Sequence, residues 1–215
     1  MSDNVQSGTR SALAAKLLLA VSAVVHAISV GVQMYYANQF GSTLEFPQLI
    51  SYCLLFVIEI VPVVLAFFGA VLTEQGSRRG RTLVALACLF VSASSVYGMA
   101  LSFRAGVSMA NLSYVICQST VVVVYVFAAV DAFRGFPLLD VSRILTGLPI
   151  PVGILRLFSS GVSLLDRFAF SPEEIVGLAI SQTWGMLAEL VFYVAVFVFL
   201  LVNVKTDKSK PSQQI

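Results

Sequence analysis

The chain is poor in charge, in histidine and in cysteine. Only 11% of its 215 residues are charged, where a soluble domain carries about 25%. That excludes an ordinary soluble fold, and a net charge of +2 is too small to point to nucleic acid. A single histidine excludes a bis-His haem held within this chain. The three cysteines, Cys53, Cys88 and Cys117, each fall inside an apolar run, and no pair has metal-ligand spacing. They read as small packing residues, neither a disulfide framework nor a metal site. No nucleophile motif, phosphate loop or glycine-rich fingerprint occurs, and hardly any strand pattern. The expectation is therefore a protein that is not an enzyme and holds neither cofactor nor metal.

What the chain has is apolar length. It is 58% hydrophobic with mean hydropathy +0.92, and its runs of about 20 apolar residues suit bilayer crossings. The fold class predicted is all-α: a polytopic transmembrane helix bundle forming one domain over 11–204, between a flexible segment 1–10 and a polar tail 205–215. Five spans are expected at about 11–37, 48–72, 82–103, 112–133 and 175–204. The first run is too long for a signal-peptide core and reads as a retained helix. Ser171-Pro172-Glu173-Glu174 reads as a capping box that starts the last helix.

Residues 144–168 differ. Gly147, Pro149, Pro151 and Gly153 interrupt the start, and Arg156, Ser159, Ser160, Ser163, Asp166 and Arg167 gather on one side of the helix that follows. Twelve Ile, Leu, Val and Phe over 144–165 favour insertion by roughly −4 to −7 kcal/mol, Arg156 opposes it by about +3, and the prolines and glycines take more. The sum is near zero, so the segment is read as an interfacial amphipathic helix, with a sixth span as the alternative. Charge bias favours the alternative. With the N-terminus in the cytoplasm, six spans put Arg10, Lys16, Arg78, Arg79, Arg81, Arg134, Arg143, Lys205, Lys208 and Lys210 inside, leaving only Arg104 and Arg167 outside.

Three ionisable side chains fall near the middle of spans: His26, Glu59 and Glu189. His26 shares a stripe with Ser22, Ser29 and Gln33, and Glu59 stands three residues before Pro62, whose missing N–H frees a carbonyl. Intramembrane ionisable groups face a bundle interior or a cavity. If these three converge they form a proton or cation relay; otherwise they are hydrogen-bonded packing residues. Small residues recur at four-residue spacing in three spans: Ala23, Ala27 and Gly31; Ser94, Gly98 and Ser102; Gly177, Ser181 and Gly185. Such faces let helix backbones approach closely. The composition and these faces lead to an integral membrane protein whose partners are the lipid bilayer and a second copy or another membrane protein. Its expected role is an accessory, assembly or membrane-shaping one, and the alternative is a proton- or cation-coupled transporter or channel subunit.

Overall fold

The computed structural model describes residues 2–40, 46–74, 78–104, 109–134, 144–170 and 173–208. Among them the chain is entirely helical. Six α-helices follow in order: α1 (Ser2–Phe40), α2 (Phe46–Glu74), α3 (Arg78–Arg104), α4 (Met109–Arg134), α5 (Pro149–Phe170) and α6 (Glu173–Lys208), with a 3-10 turn at Leu145–Gly147 leading into α5. In hydrocarbon every backbone N–H and C=O must be paired within the segment, so long apolar runs become helices. Polar flanks extend some of them. α1 starts at Ser2, ahead of the apolar run, and α6 continues to Lys208, because a formed helix propagates at little cost through residues that are not breakers. The predicted flexible segment therefore has helical backbone from Ser2. Ser171 and Pro172, and the tail 209–215, lie outside the described residues.

Among the described residues five helical stretches are long and apolar enough to cross a membrane: Leu13–Tyr36, Arg78–Arg104, Tyr114–Arg134, Leu145–Val162 and Ala179–Val202. α2 contributes a shorter apolar stretch, Val57–Thr73, among the described residues. The fourth of these, Leu145–Val162, is the segment expected to be interfacial. It does not lie across one end of the bundle; it stands antiparallel along α6, with Gly147 opposite Phe197, Gly153 opposite Leu190 and Ser160 opposite Thr183. Hydropathy weighs α5 against lipid alone, whereas Arg156 and Ser160 of its polar side meet α6.

Helices adjacent in sequence pack as antiparallel neighbours, α6 lies along α1, and α4 touches α5 lightly, which closes a ring. α2 and α3 approach very closely at Gly80, where a Cβ would collide with the backbone of Leu72 and Thr73. The core joins Leu19 of α1, Val63 and Ala66 of α2, Cys88 of α3, and Val121 of α4 to Phe192 and Phe199 of α6. Across the ring, Tyr125 stacks on Phe192 at 6.2 Å between ring centroids. Outward faces are apolar; Leu155 and Phe158 of α5 are 68% and 71% exposed, as lipid-facing side chains must be.

Candidate functional site

The polar stripe of α1 faces inward. Ser22, His26 and Ser29 are buried, and their spacing of four and three residues keeps them on one helical face. His26 Nδ1–H donates to the Ser22 carbonyl at 2.9 Å. Its ring meets Phe192 of α6 edge-on at 6.0 Å and 79°. One turn further along, Gln33 Nε2 donates to both carboxylate oxygens of Glu59 on α2, at 3.1 and 3.4 Å, and to Ser29 Oγ at 3.2 Å. The side chain of Gln33 thus ties α1 to α2 through the membrane interior.

α6 reaches the same stripe through its small residues. Gly177 and Ser181 are buried, and a Cβ on Gly185 would lie 3.4 Å from Gln33 Nε2 and 3.9 Å from Ser29 Oγ. A Cβ at 185 would just touch the Gln33 amide, so a branched side chain there crowds the bonded position.

Glu189, one turn beyond Gly185, turns to α5. Its Oε2 accepts from Arg156 Nη1 at 2.9 Å. The Arg156 side chain is 15% exposed and that of Glu189 44%. The guanidinium also stands over the ring of Tyr114 on α4, 5.2 Å from its centroid, a cation–π placement. Arg156 therefore links three helices. Along the same α5–α6 seam, Thr183 Oγ1 donates to the Ala179 carbonyl at 2.8 Å, so the 3.0 Å bond with Ser160 Oγ has Ser160 as donor.

The three predicted relay residues thus occupy one region without joining directly. Glu189 lies within electrostatic reach of His26 and of Glu59. Yet each has its own partner: Ser22 for His26, Gln33 for Glu59 and Arg156 for Glu189. Among the described residues no three His, Cys, Asp or Glu side chains group as a metal site.

The small-residue faces divide. On α6 Gly177 and Ser181 are buried and Gly185 half-buried against α1. On α3, Gly98 lies against the Tyr114 hydroxyl and Ser94 Oγ–H bonds the Val91 carbonyl, while Ser102 is half-buried. On α1 the stripe turns mostly away from the chain's own helices. Ala23 is half-buried, Ala27 is exposed, and a Cβ on Gly31 would meet open space. The polar stripe takes the interior instead, because its hydrogen-bonding groups cost more in hydrocarbon than methyl groups do. A small-residue face on α4, Ala128, Ala129 and Ala132, is almost fully buried; only two of its members, Ala128 and Ala132, share the four-residue spacing.

Arg156 is the chief residue that the sequence reading missed as a site. It was counted as a cost to insertion, although a midplane acid on one helix calls for a cation on another. Comparison with known protein families, with curated proteins and with solved structures finds no match to this chain.

Proposed function

We propose that this chain is a non-enzymatic multi-pass membrane protein that works through helix packing, as an accessory or assembly component bound to a second copy or to another membrane protein. In this reading all six helices cross the bilayer, with the basic end of the bundle on the cytoplasmic side. The observation that carries it is the outward placement of Ala27 and Gly31. A close-approach face that the chain does not use for its own fold is suited to a helix from elsewhere. The partners of Glu59 and Glu189 agree with this, since Gln33 and Arg156 make them clamps between helices, while His26 is bonded within α1.

The test is recovery from native membranes in mild detergent after cross-linking, comparing the wild type with Gly31→Ile. The wild type is expected as an oligomer or with a partner membrane protein, and Gly31→Ile as a folded protein that has lost the association. A folded wild-type monomer with no cross-linked partner would contradict the proposal.

A second reading, proton or cation conduction, is favoured by one observation: the Glu189 side chain keeps 44% of its surface exposed. Proteoliposomes carrying a pH-sensitive dye separate the two readings. The packing role predicts no flux, whereas flux abolished by Glu59→Gln or Glu189→Gln would put conduction first.

A further inference from the structure

The inward face of α6 carries an acid that packing does not cover. Gly185 lies against Gln33 and Ser29 of α1, and Phe192 and Tyr193 meet Tyr125 of α4. Glu189 stands between them, one turn from Gly185 and one from Tyr193, so it shares their face. Groups on four other helices lie within its electrostatic reach: His26 of α1, Glu59 of α2, Tyr114 of α4 and Arg156 of α5. A side chain on that face points away from lipid, yet 44% of its surface is exposed. The exposure is therefore to space inside the ring of helices. Phe192, with the His26 ring edge-on and Tyr125 stacked on it, closes that space toward the basic end.

Two features say what chemistry the space suits. Arg156 is bonded to Glu189, whereas Glu59 accepts from the neutral Gln33 amide. The lining thus has one carboxylate more than it has guanidinium groups. The second feature is Gln118 of α4, only 4% exposed. It is seven residues before Tyr125, as Gly185 is before Phe192, and α4 and α6 run the same way. Since Tyr125 stacks on Phe192, Gln118 faces inward at the level of Gly185. Gln118 bonds Tyr114, and its Oε1 is a buried acceptor without a hydrogen-bond partner. An unpaired buried acceptor is costly, and a ligand that brings a donor relieves it.

We propose that this interior space binds a small organic cation with a primary ammonium head. Its charge balances Glu59, and its three N–H donors serve Glu59, Glu189 and Gln118 Oε1. The Gln118 amide is enclosed, so it turns on its flexible stem to meet the head group. Arg156 stays with Glu189 and over the Tyr114 ring. Neither the association proposed above nor ion flux is required, so the failure of either leaves the site standing.

The experiment titrates the full chain in mild detergent with butylammonium, read by calorimetry. Butyltrimethylammonium has the same charge and tail but no N–H donor. Butylammonium is expected to bind saturably, and butyltrimethylammonium roughly tenfold more weakly or worse. Sodium in excess is expected to displace little. Glu59→Gln keeps an acceptor for Gln33 and removes the charge, and is expected to weaken binding by about tenfold or more. Gln118→Leu removes the unpaired acceptor at similar volume and is expected to weaken it by about fivefold. Leu155→Ala, on the outer face of α5, is expected to stay within about twofold of the wild type, since it touches nothing in the ring. No saturable binding by the folded wild type, equal binding of the two cations, full displacement by sodium, or wild-type affinity in Glu59→Gln or Gln118→Leu would each overturn the proposal. Should Glu59→Gln not fold, Gln118→Leu and the two cations still decide it.

Discussion

Helices α5 and α6 form one hairpin from unequal halves. The α6 stretch Ala179–Val202 has mean hydropathy 2.5, and the α5 stretch Leu145–Val162 only 1.3. α6 has apolar residues enough to offset one acid in the bilayer. α5 is near the threshold once Arg156 is counted. The structure joins the charge of the weaker helix to that of the stronger, at 2.9 Å. What the difference teaches is that α5 owes its place in the bundle to α6. A marginal helix is held upright by a neighbour that inserts on its own, and the ion pair sets the register between them.

The largest expected effect removes one half of that pair. Glu189→Ala leaves Arg156 without its counter-charge among packed helices, at a cost of about 3–5 kcal/mol. The comparison predicts that α5 suffers and α6 does not. Cysteine accessibility should rise at Leu145 and Val162 and stay unchanged at Ala195. Equal exposure of both helices would break the inequality on which the comparison rests.

A smaller effect, about 1–3 kcal/mol of overpacking, is expected where α6 closes on α1. Gly185→Val pushes into the Gln33 amide 3.4 Å away and should lower the unfolding midpoint in detergent. Gly31→Val, which meets open space, should leave that midpoint unchanged. If both variants lose stability alike, the assignment of inner and outer faces on α1 is wrong.

Smaller still is Glu59→Gln. Gln33 keeps a neutral acceptor there, so the loss should be about 0.5–1.5 kcal/mol. Least of all is Ser160→Ala, which removes one interhelical hydrogen bond beside the ion pair and should cost about 0.6 kcal/mol. Both are measured by the same unfolding series. A Ser160→Ala loss as large as that of Glu189→Ala would show that the seam, not the ion pair, holds α5.

Much of the fold is legible in the sequence because lipid imposes one simple rule: apolar length becomes helix. Helix number and the runs of α1, α3, α4 and α6 follow from that rule with hydropathy alone. His26, Glu59 and Glu189 are legible for a related reason, since a polar group in such a run is conspicuous. What hydropathy does not reveal is adjacency. Arg156 looks like a defect until α6 is known to lie beside it, and the 144–168 segment was weighed against lipid for the same reason. Ala27 and Gly31 match the spacing of Ser181 and Gly185, yet they face outward, because Ser22, His26, Ser29 and Gln33 compete for the interior of the same helix. Spacing identifies a face; only packing says which way it turns.

The measurement that tests the account most directly is a double-mutant cycle on Arg156 and Glu189, read by reversible unfolding in a lipid environment. Arg156→Met and Glu189→Met are each expected to lose about 3 kcal/mol or more, and the double variant to recover most of it, because removing both charges leaves none unpaired. Losses that simply add in the double variant would mean that the two charges act independently. The ion pair would then not be what holds α5 against α6.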